Sequence, residues 1–317
     1  MNQITHTETS GACRLSHWGV LRAAGADAAS FLHGQLSNDV QKLGTSHARL
    51  AAYCTAQGRM LTSVIALKRN PDELWLACSA DVLAATLKRL SMFVLRAKAQ
   101  LADASGELSV LGLAGPAAAA WLGADAPAAV WDKTDLGAAA VVRLPDAEGQ
   151  PRWLWIGPTD AAETVLAALP ALALDTWRWL EVRSGVAQIV AATSGQLVPQ
   201  MLNYELVGGV DFKKGCYPGQ EVVARSQYLG KLKRRGFLLD TQAEPQPGQE
   251  VFWSGDPGQP AGVIALAAPG PQGGWSALAE LKLGATADGS LHLGSADGAL
   301  LTLQPLPYAL PHEAASS

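Results

Sequence analysis

Lys213-Lys214-Gly215-Cys216-Tyr217-Pro218-Gly219-Gln220-Glu221, running on through Val222-Val223-Ala224-Arg225, is the densest stretch of chemistry in this 317-residue chain. Pro218-Gly219 reads as a type II turn, since Pro presets φ at the first central position and Gly accepts a positive φ at the second. From Gln220 onward, Val222, Val223 and Ala224 predict a short helix with Gly230 as its stop. Cys216 then stands just outside a helix N-terminus, beside two lysines. The helix dipole and the ammonium groups both favour thiolate over thiol, a setting in which cysteine becomes nucleophilic. A loop cysteine is also commonly a small buried apolar residue. The crowding of Lys, Gly, Cys, a turn and an acid into one short run favours function.

Composition bounds the rest. Hydrophobic residues at 49% and charged ones at 16% describe an ordered globular protein, and the length suits two or three domains. A net charge of −4 gives no global attraction to nucleic acid or membrane. The cysteines, Cys13, Cys54, Cys78 and Cys216, are scattered without close pairing. That spacing suits a reducing compartment and argues against a disulfide framework or a zinc site. The histidines are dispersed too, so no metal site is expected, and His33 and His47 read as ordinary surface or supporting residues. Met1 to Ser10 is polar and lacks the pattern of a secretory signal. No apolar run approaches the ~20 residues of a membrane-spanning helix. The expectation is a soluble cytoplasmic protein. Neither a phosphate-binding P-loop nor a strand-linked dinucleotide fingerprint is present, and Ser194-Gly195 lacks the flanking glycine of a nucleophile elbow.

Working outward, a strand–turn–helix unit recurs. Glu73–Cys78 reads as a strand before a helix that Asp81 caps and that carries Leu83, Leu87, Leu90 and Val94 on one face. Arg152–Ile156 precedes a helix with Asp160 and Glu163 as a capping box, and Leu108–Leu113 precedes Gly115-Pro116 and a third helix. Upstream, Leu15–Leu21 predicts a strand, with Asp27 capping a helix that carries Ala28, Phe31, Leu32 and Leu36. Leu50–Cys54 and Met60–Leu67 form two strands joined at Gln57-Gly58-Arg59. Trp177 to Val186 predicts a helix, with Trp177, Leu180 and Val182 apolar and Arg178, Glu181 and Arg183 charged; residues 191–209 read as a long binding loop. Such units indicate α+β lobes with helices on one face of largely antiparallel sheets. After Arg235, Gly236–Asp240, Glu250–Trp253, Gly262–Ala267, Trp275–Leu283, Leu291–Leu293 and Ala299–Leu303 alternate with Gly/Pro/Asp turns, predicting an antiparallel β-barrel or sandwich.

The run Lys214-Gly215-Cys216-Tyr217-Pro218-Gly219-Gln220-Glu221 resembles the signature of the YgfZ family of folate-binding proteins, relatives of the glycine-cleavage T-protein. Three weaker segments are similar to the same superfamily: Phe31–Val40, Gln57-Gly58-Arg59 and Pro199–Tyr204. The resemblance implies an α+β, three-lobed cloverleaf. Two intertwined α+β lobes (1–230) would bind folate, and a C-terminal antiparallel β-barrel (231–317) would follow, around a central cavity. It implies tetrahydrofolate or a C1-substituted folate as cofactor, with Arg59, Gln200, Asn203, Lys214, Tyr217, Gln220, Glu221 and Arg225 as binding residues. It implies a role in assembling or repairing iron–sulfur clusters, with iron–sulfur enzymes or cluster-assembly proteins as partners and tRNA reached through them. Cys216 would be the reactive residue, as cluster ligand or as nucleophile.

One departure from the T-proteins concerns catalysis. Where they carry an aspartate pair that assists one-carbon transfer, this chain has Thr62 and Ser63, and a hydroxyl cannot act as that carboxylate at neutral pH. Whether the chain is an enzyme stays open. One alternative is a folate-dependent C1 transferase using Cys216. The other is an RNA-binding protein acting through Lys231, Lys233, Arg234 and Arg235, although no aromatic residues interleave with these charges.

Overall fold

The computed structural model describes residues 9–228 and 232–311. Gly230 and Lys231, read above as helix stop and domain boundary, lie outside the described residues. The first sheet region runs β1 (Gly11–Arg14), β2 (Trp18–Ala24), α1 (Ala28–His33), β3 (Ala48–Cys54), β4 (Met60–Asn70), β5 (Glu73–Ser79), α2 (Ala80–Val94) and β6 (Gln100–Asp103). β7 (Leu108–Ala114), α3 (Gly115–Leu122), β8 (Lys133–Leu136), β9 (Ala139–Ala147), β10 (Gln150–Pro158) and α4 (Thr159–Ala168) follow. α5 (Leu174–Arg183) leads through a long irregular segment, with a 3-10 turn at Pro199–Leu202, into α6 (Gln220–Tyr228). The remainder is β11 (Arg234–Thr241), β12 (Glu250–Trp253), β13 (Asp256–Pro269), β14 (Trp275–Lys282), β15 (Leu291–Leu293) and β16 (Leu300–Gln304).

These strands form two five-stranded antiparallel sheets, ordered β3-β4-β5-β2-β6 and β1-β7-β10-β9-β8, and a closed barrel β11-β14-β13-β12-β15-β16. The α+β architecture with a C-terminal barrel is as the sequence indicates. Intertwining has a specific origin. β1 precedes every strand of the first sheet yet pairs with β7 of the second, Gly11 opposite Ala114 and Arg14 opposite Leu111. β7 is buried along its whole length, with α4 packed on it and Trp177 of α5 against Gly112. Gly112 makes that second contact possible, because a Cβ there would lie 2.4 Å from the Trp177 indole.

Three details differ from expectation. Neither Asp27 nor Asp81 caps its helix with a side-chain hydrogen bond, and Asp160 stands inside α4, where it accepts from the first-turn Ala161 amide. Asp27 instead accepts from the Lys98 amide, and Asp81 from Ser79 Oγ and the Ala191 amide, which ties distant segments together. β13 is longer than predicted, with a bulge between Ile264 and Leu266 that lets one strand bend around the barrel. α5 begins before Trp177, and its Glu181 faces inward. Residues four apart share a helix face, so the carboxylate follows Trp177 into the core.

The Pro218-Gly219 turn forms as predicted: Gly219 has φ +83° and the Gln220 amide donates to Tyr217 O at 3.2 Å. It docks against the turn at Gly58, whose φ is +75°. A Cβ on Gly219 would lie 2.4 Å from Thr55 O and 2.6 Å from Gly58 Cα. The two turns therefore touch backbone to backbone.

Gly219→Ala combines a steric clash with a disfavoured φ, so its expected cost is about 2–4 kcal/mol in a urea melt. Gly44→Ala, where nothing lies within 4 Å of the added atom, is the control. Equal stability of the two variants would show that the turns do not need this contact.

Candidate functional site

The two sheets, α5 and the barrel meet around a small chamber of about 50 Å³, walled by Trp18, Ser63, Trp131, Arg152, Glu181 and Gln188 among others. A vestibule of about 300 Å³ shares Glu181, Gln188 and Leu266 with it and is also bordered by His17, Asp81 and Arg178. Glu181 accepts from Trp18 Nε1 and Trp177 Nε1, each at 2.8 Å, and its Oε2 lies 2.9 Å from His17 Nε2. Burial pushes its pKa up, but the His17 charge and these donors outweigh burial and hold the carboxyl below the ordinary 4.5.

Arg152 projects from β10 and is buried. Its Nε and Nη2 donate to Pro145 O at 3.1 and 3.0 Å, and its guanidinium stacks 5.3 Å from the Trp177 ring. Burial lowers its pKa to about 10, so it stays a cation at neutral pH. Arg152 Nη1 and Gln188 Nε2 are both buried without a hydrogen-bond partner among the described residues. An unmet buried donor costs about 1–3 kcal/mol, so a pair of them beside a cavity marks a place for acceptor atoms. Trp131 forms part of the opposite wall with φ +72°, strain for so bulky a residue, held by backbone bonds to Ala48 and Arg143.

Alternation along β4 separates Thr62 from Ser63. Thr62 Oγ1 lies 2.5 Å from Thr86 Oγ1 beneath α2, whereas Ser63 lines the chamber and its Oγ accepts from the Ile189 amide at 2.8 Å. Only Ser63 therefore occupies a position from which a carboxylate would have faced the chamber.

The Cys216 loop lies elsewhere. Cys216 is exposed, and the reading of it as a buried loop residue falls away. Cys13, Cys54 and Cys78 are buried, and burial pushes each thiol up to about 12. Lys214 is buried. Its Nζ donates to His33 O and, at 2.6 Å, to Leu36 O, and lies 4.8 Å from the Tyr217 ring. It thus satisfies carbonyls that the end of α1 leaves without helical partners. Burial lowers the Lys214 pKa to about 8, against the pull of Asp39, Asp211 and Cys216. Tyr217 is buried, which raises its phenol's pKa.

None of the nine residues singled out from sequence lines the chamber or the vestibule. Gln200 and Asn203, expected to read a pterin edge, do not line the chamber and donate to backbone, while Gln200 Oε1 is buried without a partner among the described residues. Gln200 Nε2 donates to Val223 O at 2.7 Å, and Asn203 Nδ2 to Gly236 O at 2.9 Å and Tyr308 Oη at 3.2 Å. Both are fully buried, so their amides hold α6 and β11 in place. Lys214 is likewise an anchor. Arg59 is exposed, donates to Gln196 O and borders a separate groove of about 560 Å³. Gln220 is half-buried, while Glu221 and Arg225 are exposed on α6. Arg152, Glu181 and Gln188 went unnoticed in the sequence. The Trp177-to-Glu181 spacing was the available signal for one of them. Among the described residues no group of three His, Cys, Asp or Glu could hold a metal ion, and no helix is long and apolar enough to cross a membrane.

Comparison with known proteins follows the same outline. The GCVT N-terminal domain family matches residues 4–149. The glycine cleavage system aminomethyltransferase T from Bartonella henselae superposes with a TM-score of 0.74 at 18% identity, covering 95% of this chain and 87% of that one. The chain therefore has the T-protein-like fold. Two proteins named tRNA-modifying protein YgfZ are closer in sequence. That from Colwellia psychrerythraea is 35% identical over 74% of this chain and 72% of its own, and that from Edwardsiella ictaluri 33% over 93% and 91%. The chain belongs to the YgfZ family.

Two outcomes are expected. Iodoacetamide near neutral pH labels Cys216 ahead of Cys13, Cys54 and Cys78, read by peptide mass mapping; equal labelling would contradict the burial of the other three. Because the folded pKa of Glu181 is depressed, its contribution is present above pH 4.5 and lost as pH falls through the lower folded value. Glu181→Gln removes that contribution, so its melting temperature should fall below wild type at neutral pH and converge with it in acid. Parallel pH profiles would refute the assignment.

Proposed function

We propose that the chain binds a reduced folate in the chamber and vestibule and supports assembly or repair of iron–sulfur clusters in tRNA-modifying enzymes, with Cys216 as its reactive residue. The observation that carries the ligand is the pair of unmet buried donors, Arg152 Nη1 and Gln188 Nε2. A pterin presents a carbonyl and ring nitrogens as acceptors, and Trp18 and Trp131 supply aromatic walls for a flat ring. The inner chamber alone is too small for a bicyclic ring, so the ligand extends into the vestibule, where Arg178, held loosely by Asp175 at 3.8 Å, borders the path of a carboxylate tail. When bound, tetrahydrofolate supplies a carrier for one-carbon units. The names of the YgfZ relatives and the T-protein fold support this reading.

The cluster is cargo. A cluster takes about four protein ligands and Cys216 offers one, so a partner iron–sulfur protein supplies the others. The two alternatives are less well supported. Ser63 faces the chamber with a hydroxyl already bonded to a backbone amide, which leaves a C1 transferase without a carboxylate there. Within the basic run, Arg234 pairs with buried Glu280 and Arg235 with buried Glu205, so neither is free for RNA phosphates. Lys231 lies outside the described residues.

Calorimetric titration with tetrahydrofolate tests the ligand. Wild type should bind, and Arg152→Met or Gln188→Leu should weaken binding by about 1–3 kcal/mol. No heat at millimolar ligand would overturn the proposal. For the thiol, Cys216→Ala and Cys216→Ser should fold yet fail to support iron–sulfur enzymes in a complementation assay. Full complementation by either removes Cys216 from the function.

A further inference from the structure

We propose that a cavity beside α2 is a second binding site, separate from the chamber and vestibule, which takes a small organic carboxylate through Arg89. The cavity measures about 270 Å³ and lies between α2, the β3–β4 hairpin and residues 191–194, with Tyr53, Leu61, Val82, Thr86, Arg89 and Ser194 among its walls. These walls are fastened to one another. Thr86 of α2 is bonded to Thr62 of β4, Ser194 Oγ donates to Leu61 O at 2.8 Å, and the Gly195 amide donates to Met60 O at 2.7 Å. Asp81, at the start of α2, accepts from the Ala191 amide at 2.9 Å and so ties the loop to the helix. The space is therefore preformed, as ligand pockets usually are.

Arg89 gives the site its charge. Its Nε is buried without a hydrogen-bond partner, and the arginine enters no ion pair among the described residues. A carboxylate approaching side-on accepts from Nε and a terminal nitrogen together, which meets the buried donor and the charge at once. Tyr53, at 1% exposure, stands beside the guanidinium. Burial raises its pKa, against the Arg89 charge and a hydrogen bond from Arg89, so it is a neutral phenol with an O–H to donate. Asp81 does not neutralise Arg89. The two stand eight residues apart on α2, about 12 Å along the helix axis. Both Asp81 oxygens are also engaged, Oδ1 by Ser79 Oγ and Oδ2 by the Ala191 amide.

The walls choose among anions. Leu61, Val82, Ala85 and Ala191 offer apolar contact to an organic body, which a bare inorganic ion does not use. Phe93, one turn beyond Arg89 on the same helix face, is 46% exposed and extends that apolar surface. Asp81 at the other end disfavours a second negative charge, so a monocarboxylate fits better than a phosphate dianion. No wall residue is shared with the chamber and only Asp81 is shared with the vestibule, so occupancy of this cavity is separable from folate binding.

The test is a titration of the whole chain with sodium benzoate at neutral pH, followed in NMR spectra by the Arg89 Nε–Hε resonance. The signal should shift saturably. Acetate, which lacks the ring, should bind about tenfold more weakly, and inorganic phosphate should also bind more weakly than benzoate. Arg89→Gln, shown by its melting curve to fold, should weaken benzoate binding about tenfold or more, read by saturation transfer to the benzoate ring. Tyr53→Phe should weaken it less. An unmoved Arg89 signal in the wild type, unchanged benzoate binding in folded Arg89→Gln, or equal responses to the three anions would overturn the proposal. Displacement of benzoate by tetrahydrofolate would make the cavity an arm of the folate site and overturn it as a separate one. If tetrahydrofolate does not bind at all, the folate reading falls while the benzoate titration still decides this site.

Discussion

The Glu181 carboxylate is the charge on which the packing of the molecule converges. It accepts from Trp18 and contacts His17 at the start of the first sheet, and from Trp177 on its own helix. From the second sheet, Arg152 stacks on the same Trp177 ring. A buried carboxylate stripped of donors is unstable by several kcal/mol. Docking of the lobes and solvation of this one anion are therefore a single event. The arrangement satisfies the carboxylate but leaves Arg152 Nη1 and Gln188 Nε2 without partners among the described residues, and the proposed ligand site rests on that pair.

A second junction organises the surface. Lys214 closes the end of α1, Gly219 packs on Gly58, Gln200 reaches α6 and Asn203 reaches β11. Most of the sequence signature is thus fastening. It holds a loop that leaves Cys216 exposed. This division explains how one segment can be so dense in recognisable residues while contributing nothing to the cavity walls.

Much of the fold was legible because it depends on local rules. The barrel runs appear where β-rich segments alternate with glycine and proline turns, and the Pro218-Gly219 turn has the φ its residues dictate. The cavity was not legible. Arg152 opens an apolar strand and Glu181 sits among charged neighbours on α5, so each looks solvated until three distant elements bury it. Gln200 and Asn203 are ambiguous in sequence, since their amide groups suit a ligand edge and a buried backbone equally well. His33 read as an ordinary surface or supporting histidine, and its contacts with Asp39 and the Lys214 anchor appear only in the fold.

The most direct measurement is a crystal structure of the protein soaked with tetrahydrofolate. Ligand density filling the chamber and vestibule, with pterin acceptors in hydrogen-bond range of Arg152 Nη1 and Gln188 Nε2, is the expected result. Density against the exposed face of α6 and Arg59, with the chamber unchanged, would contradict the assignment of the cavity as the folate site.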